Sequence, residues 1–376
     1  MSPHGVSRWA MEKNLYIGLM SGTSTDGVDA VLADFSEAAK PRILGATSLD
    51  MPEALRARLL RLNSATENEL ELAHLAANEL AHLYANACHE LLVQQHVAAT
   101  KVRAIGAHGQ TIRHRPELGY SIQLNAPALL AELTQIDVIA DFRSRDIAAG
   151  GQGAPLVPVV HQGLFSAPHN RVILNLGGIA NISVLNTQGP LLGFDTGPAN
   201  MLMDYWSQLH LAQRYDLDGQ WAAKGTLIPQ LLEGMLAEPW FDLDPPKSTG
   251  RDLFNAAWLH QQLNQHTNQA DPQDVQATLL ALSVHSISRA IKRHASSAEE
   301  VLVCGGGALN PSFMQSLQTQ LNIPVRSTTT VGIHPLHVEA LAFAWLAYAH
   351  LKRIKASAPE ITGARHATIL GAHYPA

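Results

Sequence analysis

The chain has 376 residues, 46% of them apolar and 15% charged. That length exceeds what one hydrophobic core usually serves, and the balance excludes a disordered or fibrous chain. The formal net charge of -6 excludes a basic nucleic-acid footprint, so an anionic ligand has to be held locally, by backbone N–H groups, a metal or a few Arg and Lys.

In chain order, Leu15 to Met20 reads as a short buried strand, and Val28 to Phe35 as a second. The polar turn Ser21-Gly22-Thr23-Ser24-Thr25-Asp26-Gly27 between them predicts a hairpin. Residues 51 to 98 carry Leu and Ala at helical spacing, broken at Asn63-Ser64, which predicts two helices. Val102 to Gly106 and Asp137 to Asp141 read as further strands. They run into Ala107-His108-Gly109-Gln110-Thr111 and Phe142-Arg143-Ser144-Arg145-Asp146. The Gly/Pro cluster Ala148 to Pro158 marks a junction, followed by a connecting segment, His161 to Phe165. The pattern then restarts with a strand over Arg171 to Asn175, a glycine turn and a strand over Ile182 to Leu185. Gly193 to Thr196 ends another strand, and Pro198 stands where a helix would begin, continuing over Met201 to Leu209. Trp240 to Arg251 is a long polar loop, Val275 to Ala295 a helix, Val301 to Val303 a strand and Val338 to Leu351 a helix. The tail from Thr362 to Pro375 is broken by glycines. The order predicts an α/β chain with mixed sheets facing a cleft. The expected domains are 1–168 and 169–349, with the tail of about 350–376 packing back on the first. Cys88 and Cys304 read as buried thiols of a reducing compartment. No apolar stretch reaches membrane-spanning length, and residues 1–14 lack the apolar segment of a signal peptide, so a cytoplasmic protein is expected.

Four motifs carry candidate chemistry. In Gly22-Thr23-Ser24-Thr25-Asp26-Gly27-Val28-Asp29, turn N–H groups and hydroxyls can meet phosphate oxygens, and Asp26 can hold a hydrated Mg²⁺. It is not a P-loop, since no Lys-Ser/Thr and no helix follow, and the same residues also suit a plain hairpin turn. Asn175-Leu176-Gly177-Gly178-Ile179-Ala180-Asn181-Ile182 repeats the device; a phosphate chain gripped from both sides explains the pair better than chance. In Phe194-Asp195-Thr196-Gly197-Pro198, Asp195 follows a strand and precedes a helix, where it serves either as a general base or as a helix cap. The Gly197 N–H would attract an anion. Gly305-Gly306-Gly307-Ala308-Leu309-Asn310-Pro311 lets the backbone approach a flat ligand such as adenosine, or is an ordinary glycine-rich turn. His108, Arg143, Arg145 and Asp146 follow strand ends and can face a cleft. His108 with His114, or His334 with His337, fits no zinc spacing in a chain with 19 histidines. Glu339 opens a helix, where a carboxylate ordinarily serves the dipole. Lys247 and Arg251 read as solvated charges.

Two phosphate hairpins, a connecting segment between them, an adenosine turn and a late connecting helix match the plan of the actin, Hsp70 and sugar-kinase superfamily. Within it, LMSGTSTDGVDAVL, HGQTIRHRP, ADFRSRDIAAGGQGAPLVP, NLGGIANIS, GFDTGPANMLMD, DPPKSTGRDLF, CGGGALNP and VEALAFAWLA resemble the anhydro-N-acetylmuramic acid kinases, from about Tyr16 to Pro375. The resemblance implies two actin-like α/β domains closing on a nucleotide cleft. It also implies ATP and Mg²⁺ as cofactors and a 1,6-anhydro amino sugar from wall turnover as substrate, opened by water and phosphorylated on O6. It places the general base on Asp195, a supporting carboxylate on Glu339 and sugar contact on Arg143, with His108 and Asn175 beside it. The nucleotide falls on Gly22 to Asp29, Gly177, Gly178, Gly197, Gly305, Gly306 and Asn310. No nucleic-acid or membrane partner is expected, and a homodimer stays open. Thr25, Gln123 to Pro127 and His337 depart from the usual pattern, which bears on sugar contacts rather than on the reaction. The rivals are another sugar or acyl kinase of the same fold, consuming no water; an actin-like filament or chaperone ATPase; and a hydrolase that needs no ATP.

Overall fold

The computed structural model describes residues 14–22, 25–37, 40–251, 253–267 and 269–376. Short apolar runs bounded by polar turns form the first strands, β1 (Leu15–Met20) and β2 (Gly27–Asp34), paired antiparallel as Gly18↔Val31 and Met20↔Asp29. A third strand, β3 (Arg42–Asp50), pairs antiparallel with β2. The sequence does not announce it, because its residues are exposed or half-buried and form no apolar run. Two helices follow, α1 (Glu53–Arg61) and α2 (Glu69–Gln94), and α2 buries its Leu and Ala stripe against β2 and β3. β4 (Val102–Ala107) joins β1 in parallel. The pair β5 (Gln110–Arg115) and β6 (Tyr120–Leu124) forms a separate two-stranded sheet, where the sequence shows only the end of the preceding strand. Next come α3 (Pro127–Thr134), β7 (Val138–Ala140), α4 (Ser144–Ala148) and α5 (Val157–Phe165).

The second half repeats the plan. β8 (Arg171–Leu176), β9 (Ile179–Leu185) and β10 (Leu192–Pro198) run antiparallel in succession. α6 (Asn200–Leu211), α7 (Pro229–Leu236), α8 (Ala256–His266) and α9 (Pro272–His294) pack over them. Pro198 therefore ends a strand instead of opening α6. Asn255 and Asp271 cap α8 and α9 through their side chains, with Pro272 in the first turn of α9. β11 (Glu300–Cys304), α10 (Pro311–Leu321), β12 (Val325–Ser327), α11 (Val338–Leu351), α12 (Pro359–Thr362) and β13 (Ala372–Tyr374) complete the chain.

The sheet orders are β13-β7-β4-β1-β2-β3 and β10-β9-β8-β11-β12. In each, three antiparallel strands are followed by two parallel ones in the same sequence, which is the duplicated arrangement of the two-domain actin-like fold. α5 and α11 pack on each other and share a core with residues of both sheets, among them Ala104 and Ile139 of the first and Ile173 and Leu302 of the second. α11 lies on β1 and β4. A domain boundary at 349 assigns this helix to the second half; its apolar side packs on the first sheet, as does β13, which pairs with β7. Close approach requires glycine there: a Cβ on Gly18 would come within 1.8 Å of the Ala340 carbonyl, and one on Gly106 within 2.0 Å of that of Phe343. Among the described residues, no helix is long and apolar enough to cross a membrane.

Candidate active site

The β1–β2 turn is fixed from behind. The Ser21 hydroxyl sits 3.1 Å from the Tyr84 hydroxyl and 3.2 Å from the Gly109 carbonyl, and Gln110 Nε2 donates to the Gly22 carbonyl at 3.0 Å. Thr25 takes a left-handed φ of 56° and its N–H bonds Gly22 O at 3.1 Å. Thr23 and Ser24, the two hydroxyls expected to meet phosphate, lie outside the described residues. The Asp26 side chain is exposed, 3.7 Å from Arg56. Gly27 and Val28 open β2, where a Cβ on Gly27 would strike the Leu49 carbonyl. Asp29 accepts from Ser48 Oγ at 2.5 Å, and burial raises its carboxyl.

The second turn is held by α6. Asn200 Nδ2 donates to the carbonyls of Leu176 and Gly177, both at 2.9 Å, and the N–H groups of Ala199 and Met201 bond the Gly178 carbonyl. Gly305 takes a left-handed φ of 80°, and a Cβ there would also meet Asn175 Oδ1 and the Leu176 backbone, so both conformation and space call for glycine. A Cβ on Gly306 would meet nothing within 4 Å, so this backbone borders open space. Asn310 caps α10 by accepting from the Phe313 N–H at 3.0 Å. Gly306 and Asn310 line a cavity of about 400 Å³ together with Asp204, Leu309 and Leu336. Gly197 lies in β10, where a Cβ would meet Phe241, so it belongs to a strand and not to the helix N-terminus.

Asp204 had no sequence signal; it sits in an ordinary helical stretch of α6. Burial, then the charge of Asp26, pushes its carboxyl up to about 7, and Arg251 opposes. Asp26 of the first hairpin thus acts on Asp204 at the lining of the second half's cavity.

A polar cluster spans the halves. Asn175 in β8 donates to Glu339 Oε1 in α11 at 3.2 Å. Glu339 is no surface dipole partner: burial raises its carboxyl, Asp29 adds to the rise, and Asn175 and Arg143 oppose it. Arg143 donates to the Gly153 carbonyl at 2.7 Å and to His108 Nε2 at 3.0 Å. Burial, reinforced by Arg143, pushes the imidazole of His108 down to about 3, so it is neutral, and burial pushes Arg143 down to about 10. Asp146, which by its place after a strand end can face a cleft, is fully buried and accepts from the Gly153 N–H and the Thr362 hydroxyl. No group of three His, Cys, Asp or Glu among the described residues is placed to hold a metal.

Asp195 stands at a register shift in β10, a feature that re-aims a strand side chain. It does not cap α6, whose N-cap is Ala199. Its Oδ2 accepts from the Thr249 N–H at 3.0 Å, while its own N–H bonds the Lys247 carbonyl at 3.2 Å. Burial pushes its carboxyl up to about 6 against the opposing effects of Thr249 and Lys247. Lys247 is no solvated charge: its Nζ donates to the Phe241 carbonyl at 3.1 Å and lies 4.4 Å from the Trp240 ring centroid. The DPPKSTGR loop therefore closes over Asp195. A carboxyl poised near neutrality can take a proton from water or a hydroxyl.

The profile of the family described as anhydro-N-acetylmuramic acid kinase matches residues 14–376. The anhydro-N-acetylmuramic acid kinase of Bordetella petrii is 54% identical, covering 100% of both chains. That of Bordetella pertussis is 57% identical, covering 96% of each. That of Paraburkholderia xenovorans is 51% identical over 96% of this chain and 98% of its own.

Proposed function

Since the chain belongs to the anhydro-N-acetylmuramic acid kinase family, we propose that it uses ATP and water to open the 1,6-anhydro ring of anhydro-N-acetylmuramic acid and leaves a phosphate on O6. The product is N-acetylmuramic acid 6-phosphate, a step of cell-wall recycling. The observation that carries the reading is Asp195, a carboxyl near neutral pKa beside the second hairpin, tethered by the Thr249 N–H.

In the substrate, O6 is locked in an ether to C1 and carries no proton. It can attack the γ-phosphorus only as its bond to C1 breaks. Positive charge then develops at C1, as in glycoside cleavage, and a water oxygen bonds there. Asp195 takes the proton of that water. The C1–O6 bond breaks, O6 bonds phosphorus, and the bond from phosphorus to ADP breaks. The phosphoryl group thus stands where a glycosidase has a general acid. Arg143, His108 and Asn175 are the sugar contacts in this reading, and Glu339, raised by burial, supports them. The glycines of the two hairpins flank the phosphates, and Gly305, Gly306 and Asn310 border the adenosine.

Asp26 and Asp204 bring like charge to one edge of the cavity, which fits a Mg²⁺ held by one or two carboxylates plus phosphate oxygens and water. Bound there, Mg²⁺ would neutralise charge on the phosphates. The two free buried cysteines fit a reducing, cytoplasmic setting.

ADP release tests the reading. It should depend on 1,6-anhydro-N-acetylmuramic acid. Equal release without sugar would make the protein a plain ATPase.

A further inference from the structure

Gln276 has no role in the chemistry above, yet it faces the same cavity. It lies in α9, fully buried, and lines the cavity beside Met203, Tyr215, Gly306, Leu309 and Leu336. Its Nε2 donates to the equally buried Ser207 hydroxyl at 3.3 Å. Its Oε1 has no hydrogen-bond partner among the described residues. A buried amide acceptor left unpaired costs stability, so native structures seldom retain one without a ligand or water to satisfy it. The apolar members of the lining point to what covers it. Tyr215, Leu309 and Leu336 are 56%, 49% and 43% exposed, a cluster of half-open apolar surface around a narrow space. A flat heteroaromatic ring covers such surface and brings a polar edge to the amide.

We propose that Gln276 is the base-reading residue of the nucleotide site, its Oε1 accepting a hydrogen bond from the 6-amino group of adenine. This rests on the reading that the cavity holds the nucleotide. The bond to Ser207 keeps the amide nitrogen occupied, so the group presents an acceptor. Guanine carries a carbonyl oxygen at C6, and acceptor would meet acceptor. Gln276 is thus a specificity residue that touches neither phosphate nor sugar.

The test compares ATP with purine riboside triphosphate, which lacks only the 6-amino group, in wild type and in Gln276→Leu. Wild type should use ATP about tenfold better in kcat/KM, the worth of one buried hydrogen bond with its unpaired acceptor. Gln276→Leu should use the two equally, with ATP falling to the level of the analogue. No preference for ATP in wild type overturns the proposal without any variant. So does a preference that survives in Gln276→Leu, or an equal fall for both nucleotides, which is what loosened packing around Ser207 would give. Gly306→Val separates this from failure of the cavity reading, because its side chain enters open space. An unchanged KM for ATP there would put the nucleotide elsewhere. A raised KM combined with an indifferent Gln276 would sink this inference alone.

Discussion

In the proposed reaction Asp195 takes a proton from water near neutral pH, and burial, which lifts its carboxyl to about 6, suits it to that role. Asp195→Asn keeps the shape and an oxygen for the Thr249 N–H but removes the base. Turnover should fall by about 10²–10⁴-fold, while ATP still raises the melting temperature by mass action. Turnover within a few-fold of wild type would reduce Asp195 to an anchor for the 247–249 loop. The base works ionised, above its pKa, so kcat/KM should drop about tenfold per pH unit below about pH 6. The residual activity of Asp195→Asn should lack that limb. Asp204 gives a stability test with a definite sign. Its folded-state pKa is raised from 3.8 to about 7, so the ionised carboxylate is disfavoured by folding. The cost is absent well below pH 3.8, grows up to about pH 7 and is constant above. Asp204→Asn should therefore melt higher than wild type at about pH 8 and near it at about pH 4; the reverse trend would contradict a carboxyl raised by burial and by Asp26. At this scale the sequence marks Asp195 by its place near the end of a strand, although that strand runs on to Pro198 and the helix opens only at Asn200. It cannot mark Asp204, whose character comes first from burial and then from a charge in another element.

The late helix α11 is placed by two glycines. Gly18 and Gly106 let it sit directly on β1 and β4, and this sets Glu339 against Asn175 of the other half. Gly106→Val forces a branched side chain toward the Phe343 carbonyl. Overpacking of this kind costs about 1–3 kcal/mol or more, so calorimetry should find a clearly lowered melting temperature. An unchanged midpoint would mean the helix can slide off the sheet. Strands with buried apolar runs, such as β1, β4, β8 and β11, are legible because burial on both faces leaves a continuous hydrophobic stretch. β3, β5 and β6 are not, because their half-exposed, polar residues spell no strand until a partner supplies the hydrogen bonds. Asp271 and Asn310 cap α9 and α10 through their side chains, each just before a proline.

The two sheets repeat one strand order, and the sequence hints at this only through its two glycine hairpins. Register, the parallel additions and the packing of α5 and α11 between the sheets depend on contacts too distant in sequence to leave a local pattern. Because the polar cluster draws on both halves, binding ATP and the anhydro sugar together should draw them closer by a hinge and lower the radius of gyration in solution scattering. Identical dimensions with and without both ligands would indicate a preformed site. The most direct test follows the water oxygen. With ¹⁸O-labelled water, the label should appear on the C1 hydroxyl of the product and none in the transferred phosphate. Label in the phosphate, or an already open sugar phosphorylated as fast as the anhydro form, would contradict ring opening coupled to phosphoryl transfer.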